Sequence, residues 1–258
     1  MAGGLGSRLH PLTAVMNKHL LPIYDKPMIY YPLSTLMLAG IREIAIVADT
    51  SQIDYFRQLF STGEKLGISL KYIEQSKPSG IAEGMILAEE FIGNEKVGLI
   101  LGDNIFHGIG LGRQLAQHAD VVGAHIFAYQ VSDPENYGVV EIDSSNRAIS
   151  LEEKPENPKS NFAVPGLYFY DQKAIAITKS LKPSSRNELE ITDLNRAYLE
   201  LNQLSVSVLS KGTAWLDTGT FSGLHDASSF IRIMEERQNS RIGDPYDVAV
   251  TQQWVKKN

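Results

Sequence analysis

Between residues 28 and 103, strand-like and helix-like apolar segments alternate, and this alternation restricts the chain to a small set of folds. Met28–Ala39 carries a helix-like apolar pattern and stops at Gly40, a residue that closes helices because it accepts a left-handed backbone. "EIAIVA" (43–48) predicts a strand, 52–60 a helix, "LKYIEQ" (70–75) a strand and "IAEGMILAEEFI" (81–92) an amphipathic helix. "VGLILGD" (97–103) is a continuous apolar run ending in an acid, the pattern of a strand buried on both faces. Repeated β–α–β units of this kind predict an α/β fold with a Rossmann-like, mostly parallel sheet flanked by helices. Ligands then bind outside the carboxyl ends of the strands.

Past residue 120 the texture changes. "AHIFAYQV", "YGVVEID", "AISLEEKP" and "AVPGLYFYD" read as strands separated by Asp-Pro, Ser-Ser-Asn and Asn-Pro turns, which predicts an added antiparallel or mixed β layer. Helices are expected near 171–180, 190–202 and 220–238. No repeat, low-complexity tract or flexible linker interrupts the 258 residues, so one continuous domain is expected. The absence of cysteine excludes disulfides, thiolate metal sites and cysteine nucleophiles. A net charge of -6 argues against charge-driven binding to nucleic acid or anionic lipid. With no signal-length apolar start and no run approaching the ~18 apolar residues of a membrane span, a cytoplasmic protein is expected.

The opening segment "AGGLGSRLHPLT" sets Gly3, Gly4 and Gly6 before Arg8. Such glycines let backbone N–H groups approach a phosphate, and Arg8 adds a charged fork; a plain turn is the competing reading, because the spacing is neither a dinucleotide nor a P-loop fingerprint. Lys18 supplies a second cation suited to a polyphosphate, or is a surface lysine. Asp103 ends an apolar run, and Asp217 in "AWLDTGT" has a similar position. Two such carboxylates, completed by substrate phosphates and water, suit magnesium; a turn or helix-cap role is the alternative for each. "SLEEKP" groups Glu152, Glu153 and Lys154, where Glu153 and Lys154 share a face only if the strand ends there. That triplet reads as a sugar-phosphate contact or as a solvated charge cluster. No histidine pair has metal spacing and no G-x-S-x-G occurs, so neither a histidine metal site nor a serine nucleophile is supported. The glycine spacing also disfavours a nicotinamide dehydrogenase.

Taken in order, "AGGLGSRLHPLT", "NKHLLPIYDKPMIYYPLSTLMLAGI", "YIEQSKPSGIAEG", "LILGDNIFHG", "YGVVEID", "SLEEKP", "VPGLYFYD", "ELEITDLNRAYLE" and "AWLDTGT" closely resemble the glucose-1-phosphate thymidylyltransferases. The resemblance implies the nucleotide-diphospho-sugar transferase type of α/β fold, with residues 1–120 the nucleotide-binding half and 121–258 the sugar-binding half. It implies magnesium-dependent transfer of a thymidylyl group from dTTP to glucose 1-phosphate, giving dTDP-glucose and pyrophosphate at the start of dTDP-rhamnose synthesis. By resemblance Gly3, Gly6 and Arg8 hold the triphosphate and Lys18 neutralises charge at the reacting phosphates. Asp103 and Asp217 would carry Mg2+, and Gln75 and Gly80 would meet the thymine. Gly138, Glu153 and Val164 would line the glucose site and Lys154 would bind its phosphate. Family members form tetramers regulated by nucleotide at a second site, so a homo-oligomer is expected.

Departures from the family pattern are local within the chain and larger at its ends. Asn17 and His19 flank Lys18 where relatives commonly have Ser and Gln, and Glu83 and Gly84 stand where Gln and Ala are frequent. Pro165 replaces the usual threonine beside Val164, fixing φ and removing an N–H. Relatives also carry an apolar strand before the glycine loop and further residues after the position of Asn258. Loss of that strand predicts exposed backbone groups on its neighbours and a poorly anchored loop, as in a shortened gene product or a misplaced start. The alternative function is then a truncated, weakly active or inactive sugar-nucleotide-binding protein.

Overall fold

The computed structural model describes every residue except Leu5, Pro78, Ser185 and Asn258; the glycine-loop position 5 and position 78 after Gln75 therefore lie outside the described residues. An antiparallel hairpin, Pro22–Ile23 (β1) with Lys26–Pro27 (β2), precedes helix Tyr30–Leu38 (α1). The helix closes as predicted, with Gly40 at φ 86° and its N–H donating to Met37 O at 2.9 Å. Strand Glu43–Asp49 (β3), helix Ile53–Phe60 (α2) and strand Ser69–Gln75 (β4) follow. β3 and β4 pair in parallel from Glu43↔Ser69 to Asp49↔Gln75, so Asp49 and Gln75 sit together at the carboxyl ends.

Two expected elements are divided. The helix at 81–92 is Glu83–Leu87 (α3) and Glu89–Ile92 (α4), because Ala88 between them leaves helical dihedrals at ψ 5°. The strand at 97–103 is Val97–Ile100 (β5), then a turn containing Asp103, then Asn104–His107 (β6). Asp103 thus lies in a turn between strands, closed by Asn104 N–H to Leu101 O at 3.2 Å. Next come Leu111–Ala116 (α5), Ala124–Gln130 (β7), Gly138–Ile142 (β8), Ala148–Glu153 (β9), Phe162–Ala163 (β10) and Leu167–Tyr170 (β11). The chain ends with Ala174–Ser180 (α6), Ile191–Glu200 (α7), Leu204–Val208 (β12), Ala214–Asp217 (β13), Phe221–Gln238 (α8) and Pro245–Thr251 (α9).

By their contacts these elements group into two units, one of residues 1–78, 100–116 and 212–258 and one of 79–99 and 117–211. A single cut near residue 120 does not separate them, because the last segment returns to the first unit. In the first unit, Ala2 bridges Ala48 in parallel and its N–H donates to Val47 O at 2.7 Å. Met1 donates its ammonium to Ile100 O at 2.7 Å and accepts the Gly102 N–H at 2.7 Å. These two residues satisfy backbone groups on both sides, so the glycine loop is anchored, contrary to the expectation from a missing strand. β6 and β13 pair antiparallel in this unit, over a core of Ile23, Met28, Tyr31, Ile105, Ala227, Ile231 and Ile242.

The second unit is built on a sheet ordered β5-β11-β7-β10-β8-β9, with β12 beside β7. β7 and β12 run parallel, whereas β7–β11, β7–β10, β10–β8 and β8–β9 are antiparallel, the added β layer that the turn chemistry predicts. His125 on β7 is buried, stacked on His118 with ring centroids 3.5 Å apart, and its Nδ1 lies 2.7 Å from Ser205 Oγ. Its Nε2 has no hydrogen-bond partner among the described residues. Burial, and then the neighbouring His118, push the His125 imidazole down to about 3. The unfolded chain therefore binds an extra proton between pH 6.5 and about 3, so this contribution to stability is complete above pH 6.5 and is lost as pH falls through that window. Replacing His125 by Phe keeps the aromatic packing and is expected to make the acid-induced loss shallower in urea melts recorded across the window.

Candidate active site

Register brings the two strand-associated aspartates together. β13 pairs with β6 so that Asp217 stands opposite Asn104, the neighbour of Asp103. Thr218 then ties the turn down, donating from its N–H at 3.1 Å and its hydroxyl at 2.8 Å to Asp103 O. Lys18 Nζ forms an ion pair with Asp103 Oδ2. Asp217 Oδ1 accepts the Gly219 N–H at 2.9 Å, and Arg8 lies beside it: a Cβ on Gly219 would sit 2.7 Å from Arg8 Nη2 and 3.1 Å from Asp217 Oδ1. Arg8, Lys18, Asp103 and Asp217 thus form one cluster of two cations and two carboxylates. Helix α8 is capped by Thr220, which accepts from Gly223 N–H at 3.1 Å, so Asp217 serves a turn but not the helix cap.

The two carboxyls respond differently to this environment. Burial opposes the charge of Asp103, but the charge and hydrogen bond of Lys18, together with His19 and the Asn104 hydrogen bond, outweigh it and hold the carboxyl well below the usual carboxylate range. Asp217 is pushed up by burial and then by the negative charge of Asp103. The donor set is hard oxygen from two carboxylates, and no group of three or more His, Cys, Asp or Glu stands close enough to hold a metal among the described residues. That set fits magnesium, which is commonly held by one or two carboxylates together with phosphates and water.

Next to this cluster the glycine loop meets the carboxyl ends of β3 and β4. Gly6 adopts the left-handed conformation (φ 59°) and caps the 3-10 turn Ser7–Leu9, and a Cβ there would strike Thr13 Cγ2 at 2.8 Å. Gly3 packs on the buried Gln75, whose Oε1 would be 2.4 Å from an added Cβ. A cavity of about 230 Å3 lies here, lined by Gly3, Gly4, Met16, Asp49, Gln52 and Gln75 among others. Gly80 belongs to the second unit. There, φ 109° and a backbone approach that would put a Cβ 2.3 Å from Leu189 O both require glycine.

In the second unit, Gly138 pairs across β8–β9 with Glu153, and Val164 N–H donates to Gly138 O at 2.7 Å. β9 stops at Glu153, and Lys154 takes φ 45°, so strand alternation is broken at the point where it would have sent these side chains to opposite faces. Lys154 N–H donates to Tyr137 O at 3.0 Å, and its exposed ammonium has no ion pair among the described residues. Gly138, Glu153, Lys154 and Val164 are thereby neighbours, and Pro165 next to Val164 is buried.

The sequence pattern of the nucleotidyl transferase family matches residues 1–233. The glucose-1-phosphate thymidylyltransferase of Mycolicibacterium smegmatis is 53% identical over 249 residues, 96% of this chain and 86% of the relative. That of Neisseria meningitidis is 52% identical over 256 residues, 99% of this chain and 89% of the relative. This chain belongs to the nucleotidyl transferase family, among the glucose-1-phosphate thymidylyltransferases. A solved structure of a Bacillus anthracis protein assigned to the same enzymes, in complex with sucrose, superposes with TM-score 0.84 at 38% identity and covers 95% of this chain and 96% of that one. A UDP-glucose pyrophosphorylase complexed with UDP-glucose gives TM-score 0.80 at 26% identity, covering 90% of this chain and 96% of that one.

This thymidylyltransferase chain adds residues that sequence reading had not assigned. Thr192, from "ELEITDLN", donates to Glu153 Oε2 at 2.5 Å, and Arg186 Nη2 lies 3.9 Å from Glu153 Oε1 while contacting both oxygens of Glu190 at 2.9 Å. In the first unit the addition is Asn104, whose Oδ1 accepts from Trp215 Nε1 at 2.7 Å and whose Nδ2 donates to Asp103 Oδ1 at 3.2 Å. The segment carrying Thr192 was visible as a motif, but only its contact with Glu153 discloses a role. Lys154 has a measurable cost: its left-handed backbone is disfavoured for a residue with a Cβ. Lys154→Gly is expected to raise stability by about 1 kcal/mol, read as a higher urea midpoint at unchanged slope.

Proposed function

We propose that this chain catalyses magnesium-dependent transfer of the thymidylyl group of dTTP to glucose 1-phosphate. A phosphate oxygen of glucose 1-phosphate attacks the α-phosphorus, the bond from that phosphorus to the bridging oxygen breaks, and dTDP-glucose and pyrophosphate form. No covalent enzyme intermediate is required, so the work left to the protein is positioning and charge neutralisation. The observation that carries the reading is the joining of Arg8, Lys18, Asp103 and Asp217 in one cluster of a chain 53% identical to a named thymidylyltransferase.

In this reading the amides of the Gly3–Gly6 loop and the Arg8 guanidinium hold the triphosphate, and Lys18 meets the charge that develops around the α-phosphate. Asp103 and Asp217 would hold the magnesium ion, which supplies charge neutralisation and a fixed orientation for phosphate oxygens. Gln75 offers both amide donor and acceptor to the base edge, with Gly80 as the second thymine contact. Gly138, Glu153 and Val164 line the glucose, and Lys154 carries its phosphate. A cytoplasmic homo-oligomer, tetrameric by resemblance and acting in dTDP-rhamnose synthesis, completes the proposal.

The test is pyrophosphate release from purified protein with glucose 1-phosphate, magnesium and either dTTP or UTP, with the sugar nucleotide identified by mass. Turnover with dTTP is expected; no sugar nucleotide from either triphosphate would refute the activity. Lys154→Ala is expected to raise KM for glucose 1-phosphate at least about ten-fold with KM for dTTP nearly unchanged, as removal of one charged phosphate contact implies.

A further inference from the structure

Lys18 is presented by the 3-10 turn Lys18–Leu20, and both of its neighbours in sequence are buried polar side chains. Asn17 Oδ1 accepts from His19 N–H at 2.9 Å and lies 2.7 Å from His19 Nδ1. Asn17 Nδ2 donates to Ala2 O at 3.1 Å, which fixes the amide orientation and makes His19 Nδ1 the donor to Oδ1. The Asn17 N–H in turn donates to Gln52 Oε1 at 3.2 Å.

On its other side the His19 ring lies against Gly102. A Cβ there would come within 2.4 Å of His19 Cδ2 and 2.8 Å of Nε2, so only glycine admits the imidazole. Gly102 immediately precedes Asp103, and its N–H is held by Met1 O at 2.7 Å. One ring therefore touches both the segment that carries Lys18 and the segment that carries its partner Asp103.

We infer that His19, locked by Asn17, is a positioning residue that sets the Lys18 ammonium against Asp103 and so against the reacting phosphates. The inference rests on the function proposed above. Lysine is a point charge on a flexible stem with many rotamers, so its placement depends on how firmly its backbone is fixed. His19 acts through Lys18; the imidazole is sealed inside the unit at 1% exposure and has no access to a substrate.

The experiment is a kinetic cycle of wild type, His19→Ala, Lys18→Ala and the double variant, with His19→Gln as the conservative substitution. His19→Ala is expected to lower kcat about ten-fold or more with KM for glucose 1-phosphate within about two-fold, because a small misplacement of a charged group costs that much. His19→Gln, which keeps an N–H for Asn17 Oδ1, is expected to recover most of the rate. In the Lys18→Ala background, His19→Ala is expected to change kcat by less than about two-fold, since residues acting as one unit are not additive. An equal fractional loss in both backgrounds, or an unimpaired kcat for His19→Ala, overturns the inference. Should His19→Ala fail to fold, Asn17→Ser, which retains a cap acceptor but drops the tie to Ala2, takes its place in the cycle. A wild-type chain without turnover refutes the proposed function instead, and the inference is then judged by a crystal structure of the His19 or Asn17 variant. Lys18 still paired with Asp103 in that structure overturns it, and a displaced Lys18 supports it.

Discussion

The antiparallel pairing of β6 with β13 is the constraint on which the cluster of Arg8, Lys18, Asp103 and Asp217 depends. It joins two stretches far apart in sequence, and its register sets Asp217 opposite the residue after Asp103. Trp215 Nε1, donating to Asn104 Oδ1 at 2.7 Å, and the two Thr218 bonds to Asp103 O hold that register. A slip of one residue would send Asp217 to the opposite face of the pair. The carboxylate pair exists only because this short two-stranded element is pinned from both sides.

Burying a carboxylate and setting a second one beside it both have an electrostatic cost, and burial first and then Asp103 raise the Asp217 carboxyl. Lys18 and Arg8 offset that cost at opposite ends of the pair, Lys18 on Asp103 and Arg8 beside Gly219 and Asp217. A buried carboxylate such as Asp103 needs a partner of this kind, because an unpaired buried charge is strongly destabilising. In the function proposed above the same balance has a use: groups that neutralise one another at rest would meet phosphates and a cation when these bind. The second unit follows a different plan. There Glu153 is held by Thr192, and the neighbouring Lys154 ammonium stays exposed on a strained backbone.

Much of the fold was legible, because periodicity reports burial. The alternation from 28 to 75 produced α1, β3, α2 and β4 within a residue or two, and the turn chemistry past 120 produced the antiparallel layer. What failed was local. "VGLILGD" reads as one strand, yet Gly102 gives its N–H to Met1 and the chain turns, a partner choice that no window of sequence contains. The expectation of a poorly anchored loop was likewise wrong, since Ala2 donates to Val47 O and Met1 bonds both Ile100 O and the Gly102 N–H. At the site, residue types were readable while their association was not. Asp103 and Asp217 looked alike, but only the β6–β13 register makes them neighbours. Glu153 and Lys154 were expected to diverge unless the strand ended between them, and φ 45° at Lys154 is where it ends. Thr192 lay inside a recognised motif and His19 stood out as a departure beside Lys18, but neither was given a role, because their value lies in which side chain they hold.

The central claim is that Asp103 and Asp217 form one cation site shared with substrate phosphates. Its most direct measurement is a crystal structure of this chain soaked with dTTP and manganese in place of magnesium, with the metal located by anomalous scattering. The account predicts a single peak contacting carboxylate oxygens of both aspartates and phosphate oxygens of dTTP, with Lys18 withdrawn from Asp103 toward the α-phosphate. A metal bound to phosphate alone, with Asp103 still paired to Lys18 and Asp217 not engaged, would contradict it.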